Sequence, residues 1–123
     1  DILLSVRAPV GELNIADKKC CIGRGLAAIH SKYQSFTYYL LLSNLAQFYK
    51  YNNDGTTFGA ITKKELQDIK VIIPKETLQK EFNDRIGTID KQIFLLSKEN
   101  QELISLRDFL LPLLMNGQVI FEE

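Results

Sequence analysis

Apolar residues recur in alternating steps of four and three along the C-terminal part of the chain, and this repeat constrains the fold more than any other feature. A repeat that averages 3.5 residues lines one narrow face of a helix, against which a second helix can pack. The repeat predicts a coiled-coil helix over residues 76–111, about 54 Å long at roughly 1.5 Å per residue, that needs a partner. Its seam consists of Phe82, Ile86, Ile89, Ile93, Leu96, Asn100, Leu103, Arg107, Leu110 and Leu114.

Two polar residues, Asn100 and Arg107, interrupt this seam. A buried Asn costs stability but fixes the register of two helices, because an Asn opposite an aliphatic residue loses its hydrogen-bonding partner. A seam Asn often accompanies parallel homodimers, which leaves the direction of pairing open at this point. Beyond the seam, Pro112 is expected to kink or end the helix. Asn116 and Gly117 supply a stop signal, and residues 119–121 a short extended segment.

The segment from residue 5 to residue 29, SVRAPVGELNIADKKCCIGRGLAAI, is too irregular for an ordinary pair of amphipathic strands. Pro9 fixes its own φ and favours an extended Ala8. Gly11, Gly23 and Gly25 allow positive φ or a close approach of the backbone, which suggests bulges and tight turns. Short strands separated by these turns are predicted at residues 2–6, 13–16, 20–22 and 26–30.

The pattern becomes helical after residue 35. Apolar residues cover most of two faces over residues 35–51, which predicts one largely buried helix ended by the turn residues 52–55. Thr62 with Glu65 three residues later fits a capping box and places a short helix at residues 63–68. A further strand is predicted at residues 70–73. The predicted fold is α+β, with a small twisted β-rich domain and two packing helices over residues 1–75. The long coiled-coil helix and its tail take residues 76–123.

Composition narrows the classes of function. Fifteen basic residues balance fifteen acidic ones, so net charge gives no support to a non-specific DNA binder, which usually carries a basic excess. No apolar run is long enough to span a bilayer, and no signal-peptide pattern is present. Because the chain opens at Asp1 inside an apolar run without an initiating Met, we expect it to be part of a longer protein.

The two cysteines, Cys20 and Cys21, are adjacent and have only the lone His30 as a further candidate ligand. A zinc site needs about four ligands, so no metal site is expected. We expect both cysteines to be small buried core residues in a reducing cytoplasm. The chain also lacks a P-loop and a GxGxxG turn, so neither a cofactor nor a catalytic residue is predicted.

The pattern VRAPVG, NIA and CCIGRG closely resembles the target recognition domains of type I restriction-modification specificity subunits. GTTFGAITKKEL resembles the segment before a short helix in these domains, and ENQELISLRDFLLPLLMNGQVIF resembles the end of their conserved spacer helix. The resemblance covers residues 1–121, although the variable N-terminal portion of a recognition domain is absent.

This resemblance implies a non-catalytic cytoplasmic subunit that reads one half of a split double-stranded DNA target. It also implies separate methyltransferase (modification) subunits as partners and no membrane. A second recognition half, or a second copy of the chain, would pair through the long helix, which is antiparallel in the family.

Several residues are candidates for contact with DNA, each with a structural alternative. Arg7, beside the turn at Pro9, could bond a guanine edge, or it could equally form an internal ion pair with Glu12. Arg24, between two glycines, could approach a phosphate or simply mark a bulge. The remaining candidates are Thr56, Thr57, Lys63 and Lys64, which could bind phosphate or only cap and solvate local structure.

Two alternatives to DNA recognition remain open. The heptads alone would also suit a non-catalytic coiled-coil module for protein interaction and assembly. A thiol-dependent enzyme that uses Cys20 or Cys21 is the weakest hypothesis.

Overall fold

A three-stranded antiparallel sheet organises the N-terminal part of the chain. Strand β1 (Ile2–Ser5) lies between β2 (Leu13–Ile15) and β3 (Leu26–Ile29), so that Ile2 faces Ile15 on one side and Ile29 on the other. The computed structural model describes residues 1–52 and 59–118. Three of the four strands predicted over residues 1–30 are confirmed within a residue or two.

The core lies on one face of this sheet. Ile2 and Leu4 alternate with half-exposed neighbours along β1, as the period of two requires, and both are fully buried. Leu4 packs in a cluster with Val10, Phe48 and Ile61, residues drawn from four separate parts of the chain. Residues that are distant in sequence therefore fix the position of β1.

The fourth predicted strand, at residues 20–22, is absent from the structure, and so is the one predicted at residues 70–73. Both edges of β1 are already paired, and neither segment pairs with a strand among the described residues. Ile72 is 91% exposed, so that segment lacks a buried face as well. Apolar, β-branched sequence alone did not make these segments strands.

The expectation that Cys20 and Cys21 are buried was also wrong, because both thiols are free and exposed. They belong to the segment after β2, in which residues 17–24 are all exposed. The glycines that were expected to form turns differ among themselves in conformation. Gly11 has a positive φ of 102°, whereas neither Gly23 nor Gly25 does.

Two helices replace the single helix predicted over residues 35–51. Helix α1 (Gln34–Ser43) ends at Asn44, and α2 (Leu45–Tyr49) leads into a short 3-10 helix (Lys50–Asn52). The side chain of Asn44 donates to the carbonyl of Leu40 at 2.7 Å, a local bond that competes with helix continuation. Most of this region is half-buried rather than buried, with Ser35 and Phe48 as the exceptions.

The capping box predicted the next helix correctly. Helix α3 (Lys63–Gln67) begins after Thr62, whose hydroxyl accepts from the backbone N–H of Glu65 at 3.3 Å. In return, the Glu65 carboxylate accepts from the backbone N–H of Thr62 at 2.7 Å. These two bonds satisfy two of the free donors at the start of the helix.

The long helix, α4 (Glu76–Met115), is confirmed and runs three residues past Pro112, which therefore does not end it. It continues past residue 111, the predicted end, as far as the stop signal at Asn116 and Gly117. Gly117 has φ 66°, its N–H donates to Leu114, and the N–H of Gln118 donates to Leu113, which together form a Schellman motif. The predicted extended segment at residues 119–121 lies outside the described residues.

The chain divides into two compact units, Asp1–Gly87 and Thr88–Glu123. The first unit includes the sheet, α1 to α3 and the first turns of α4; the second contains the rest of that helix. Among the described residues, no helix has the length and apolar character needed to cross a membrane.

Candidate nucleic-acid interface

Arg7 lies directly beyond the end of β1, on an exposed stretch of backbone. It forms an isolated antiparallel bridge with Ala60, in which the N–H of Ala8 donates to Gly59 and the N–H of Ile61 donates to Val6, both at 2.9 Å. Its guanidinium forms no ion pair with any described residue, so the alternative pairing with Glu12 is not formed. Within residues 1–52 and 59–118, the guanidinium of Arg7 thus has no acidic partner.

The turn after Arg7 is held rigidly from several sides. Val10 is fully buried and belongs to the core cluster. Gly11 lies against Phe48, where a Cβ would be tightly packed as well as strained by the positive φ. Loop residues with so little freedom hold the neighbouring side chains in a defined place.

Asn52 clamps this turn, although its sequence context predicted no more than a turn residue. Its amide oxygen accepts from the N–H of Val10 at 2.6 Å, and its amide nitrogen donates to the carbonyl of Val10 at 3.0 Å. One side chain thus replaces both backbone partners that a strand would have offered. No local sequence signal distinguishes this Asn from the others around it.

Arg24 lies at the same end of the sheet as Arg7, in the turn that precedes β3. The N–H of Leu26 donates to Gly23 at 3.1 Å, which closes a tight turn around Arg24, and Gly25 accepts from the N–H of Val6 at 2.9 Å. The guanidinium of Arg24 is exposed and is not paired with any described residue.

The backbone of Val6 therefore links the segments that carry the basic candidates. Its N–H bonds Gly25, one residue after Arg24, while its carbonyl bonds Ile61, two residues before Lys63. Arg7 follows Val6 in the chain. The structure brings the segments that carry Arg7, Arg24, Lys63 and Lys64 to the same end of the sheet.

Lys63 and Lys64 are both exposed at the start of α3. The capping box already uses the N–H groups of Thr62 and Glu65, so these backbone donors are not available to an anion. The hydrogen bonds from Thr62, first from its hydroxyl and then from its backbone, lower the pKa of the Glu65 carboxyl and keep it ionised. The side chains of Lys63 and Lys64 take no part in the capping box. Thr56 and Thr57 lie outside the described residues.

Charge is distributed unevenly between the two parts of the chain, although its total is zero. Residues 1–75 contain ten basic and six acidic residues, a net charge of +4, and residues 76–123 contain five basic and nine acidic ones, a net charge of −4. A basic module is the electrostatic footprint expected of a DNA-binding surface. The net charge of zero for the whole chain, which gave no support to DNA binding, is the sum of these two opposite charges.

The start of α4 is fastened to the start of α1. Asn83 accepts from the backbone N–H of Ser35 at 3.1 Å, and so supplies an acceptor that α1 lacks at its own N-cap, Tyr33. Glu76 accepts from Lys32 at 2.8 Å and from the hydroxyl of Tyr33 at 2.9 Å. The ammonium of Lys32 and the Tyr33 hydroxyl lower the pKa of Glu76, and Glu76 in turn raises that of Lys32.

The predicted seam residues on the first turns of α4 are partly covered within the first unit. Phe82 packs edge-on against Phe36 and Tyr39, with ring centroids 6.0 Å away in both cases. Ile86 is half-buried.

Farther along the helix, in the second unit, the seam is open. Ile89, Ile93, Leu96 and Leu103 are each 50–59% exposed. Leu110 and Leu114 are half-buried, and Asn100 is exposed. Arg107 bonds the neighbouring Asp108 at 2.6 Å. A row of half-exposed aliphatic side chains is the surface that a partner helix would cover.

Comparison with known proteins agrees with these features. Residues 1–105 match the family model described as the type I restriction modification DNA specificity domain. The chain is 41% identical over 122 residues to a protein of Methanocaldococcus jannaschii named as the type I restriction enzyme MjaX specificity subunit. That match covers 97% of this chain but 29% of the relative, so the chain spans less than a third of its length. No solved structure matches.

Proposed function

Because this chain belongs to the type I restriction modification DNA specificity family, we propose that its N-terminal module reads one half of a split double-stranded DNA target. The observation that carries the proposal is the pairing of Val6 with both Gly25 and Ile61, which gathers the basic candidates at one end of the sheet. The net charge of +4 on residues 1–75 supports the same partner.

In this proposal the candidate residues divide into two roles. Arg7, on its rigid turn, is the candidate for a guanine edge, because a guanidinium can bond O6 and N7 together. Arg24, Lys63 and Lys64 are candidates for phosphates, which position the protein without reading sequence. Thr56 and Thr57 stay in the same group as predictions from sequence.

The long helix would connect the module to a second recognition half or to a second copy of the chain. The exposed row from Ile89 to Leu103 supports a helix partner, since water would otherwise remain in contact with four large aliphatic side chains. We further propose that the intact subunit docks methyltransferase subunits in the cytoplasm and carries no catalytic residue of its own.

The test is binding by the intact subunit in complex with its methyltransferase partner. The complex should bind a split target at least about a thousandfold more tightly than a scrambled duplex, as specific proteins commonly do. Arg7→Lys should reduce that discrimination while leaving binding to the scrambled duplex nearly unchanged, because it keeps the charge and loses the bidentate fork. Equal affinity of the wild-type complex for all duplexes at moderate salt would contradict the proposal.

The second candidate function, a protein-assembly module without DNA recognition, rests on the same exposed row of α4. The two functions differ in one measurable respect. Replacing Leu96 and Leu103 with Glu should disrupt assembly under either function, but it should change the methylated sequence or its spacing only if the module reads DNA. Lost assembly with unaltered methylation specificity would favour the assembly module.

A further inference from the structure

The connection between β2 and β3 is the most exposed described part of the module. Both strands run antiparallel to β1 and lie on opposite sides of it. The chain therefore has to travel back along the sheet from Ile15, beside Ile2, to Leu26, beside Ser5. We call residues 17–24 of this connection the crossing loop.

The crossing loop passes over the face of the sheet that is turned away from the core. A shallow open groove lies there, between Leu3 and Ala28 of the sheet and Lys18, Lys19 and Ile22 of the loop. All eight loop residues are exposed, Ile22 at 42%. The loop thus stands clear of the module instead of packing onto it.

The basic residues of this loop, Lys18, Lys19 and Arg24, form no ion pair within the described part of the chain. The loop contains one carboxylate, Asp17. A Cβ added at Gly23 or Gly25 would meet nothing within 4 Å, so the surroundings of Arg24 are open. Three unpaired cations on an eight-residue exposed loop suit a polyanion.

The loop also ends at the candidate interface. Gly25, the residue that follows it, accepts from the N–H of Val6, next to Arg7. Lys18 and Lys19 line the groove with Asp1 and Ala16, at the opposite end of β1 from Arg7. A duplex that contacts both would have to extend along the sheet. A partner with regularly spaced negative charges fits this arrangement better than a single anion does.

We propose that the crossing loop is a second DNA contact, in which Lys18, Lys19 and Arg24 bind backbone phosphates. This inference rests on the proposed function, because it names part of the surface that the module uses. It adds Lys18 and Lys19 to the interface and gives the exposed Cys20 and Cys21 a place within it. The role of the loop is positioning and salt-dependent affinity, with no reading of bases.

The first measurement is the salt dependence of DNA binding by the intact subunit with its methyltransferase partner. In Lys18→Gln/Lys19→Gln, the slope of log affinity against log salt should fall by about two, because each lost phosphate contact removes roughly 0.9. Affinity at physiological salt should fall on the order of tenfold on the same basis. The matched control is Lys91→Gln/Lys98→Gln, which removes the same charge from exposed positions on α4 outside the seam.

The second measurement uses the native thiols as reporters. Cys20 and Cys21 are the two cysteines of this chain, both exposed, and lie between Lys19 and Arg24. Saturating duplex should slow their alkylation by N-ethylmaleimide, with the modified peptide identified by mass spectrometry. Raising the salt until the duplex dissociates should restore the rate, because the protection comes from bound DNA.

The two proposals fail in different ways. A wild-type complex that binds all duplexes equally would contradict half-site reading, yet the salt slope and thiol protection would still report on the loop. A salt slope in Lys18→Gln/Lys19→Gln equal to that of the α4 control, or alkylation rates unaffected by saturating duplex, would overturn the loop proposal. A reduced slope together with protection would support it.

Discussion

Asn52 shows how a single side chain can hold the turn beside a candidate DNA contact. It bonds both polar groups of the Val10 backbone, and Val10 is fully buried. If the amide were removed, one donor and one acceptor would lose their partners in a place where water has little access. The stability lost would come mainly from leaving the buried N–H and C=O of Val10 without a hydrogen-bonding partner.

Asn52→Ala is therefore expected to lower the free energy of unfolding by about 1–3 kcal/mol, measured by urea denaturation of the intact subunit. The matched control is Asn14→Ala. Asn14 also accepts from a backbone N–H, that of Ile15 at 2.8 Å, but it is exposed. That variant should lose a few tenths of a kcal/mol at most, since water replaces the bond. Equal losses in the two variants would show that Asn52 is not a clamp.

The contact of Glu76 with Lys32 predicts a defined dependence of stability on pH. The pKa of Glu76 is lowered from 4.5 in the folded chain, so its contribution is present above that pH and disappears as pH falls through the lower, folded value. The pKa of Lys32 is raised, so its contribution is present below its ordinary value of 10.5 and is lost as pH rises through the folded value. The contact is complete between these limits.

Glu76→Gln should remove part of the acid sensitivity. In urea titrations of the intact subunit between pH 3 and pH 7, the variant should lose less of its stability on acidification than the wild type does. At pH 7 it should be slightly less stable, because the charged contact is gone. Glu81→Gln is the control, since Glu81 pairs with Arg85 on the same exposed helix. If both variants follow one curve, the contact with Lys32 contributes nothing specific.

Among the elements, α4 supplies the N-terminus of α1 with a hydrogen-bond acceptor that α1 lacks. Helix α1 has no side-chain cap of its own, and Asn83 of α4 accepts from the N–H of Ser35. A missing N-cap costs about 0.5–2 kcal/mol. The first turns of α4 therefore stabilise α1 through a hydrogen bond as well as through the packing of Phe82 on Phe36.

Asn83→Ala should be about 1 kcal/mol less stable than Ser105→Ala, which introduces Ala at an exposed position of the same helix outside the seam. Comparing the two cancels the gain in helix propensity that Ala brings. Hydrogen exchange at the Ser35 amide should accelerate in the first variant only, and Asn83→Asp, which keeps an acceptor, should restore protection. Unchanged exchange at Ser35 would contradict the cap.

These elements also show what the sequence could and could not predict. Patterns complete within a short stretch of sequence were identified correctly: the strand β1, the capping box of Thr62 and Glu65, and the long helix α4. The strands expected at residues 20–22 and 70–73 failed because strand formation depends on a partner elsewhere in the chain. The basic candidates could be identified from residue type alone. Their proximity could not, because it depends on the hydrogen bonds of Val6 with Gly25 and Ile61, which are distant in sequence.

At the scale of the whole molecule, the open row on α4 raises the question of what covers it. A second helix would bury Ile89, Ile93, Leu96 and Leu103, each of which is worth about 1.5–3 kcal/mol when fully buried. The seam also contains Asn100, which favours a pairing that gives it a polar partner. Homodimers often meet this requirement with parallel helices, whereas two DNA-reading modules at opposite ends of a spacer require antiparallel ones.

The direction of pairing can be measured with one label per chain. With a spin label at a cysteine introduced at Glu76 in a Cys20→Ser/Cys21→Ser background, antiparallel copies should show a separation of several tens of ångströms, because each helical residue adds 1.5 Å. Parallel copies would hold the labels roughly one helix spacing apart, about 10 Å. Adding Leu96→Glu and Leu103→Glu should abolish the distance signal, while Lys91→Glu and Lys98→Glu, away from the seam, should preserve it. A short distance in the wild-type seam would contradict the antiparallel spacer, and with it the placement of one module at each end of the pair.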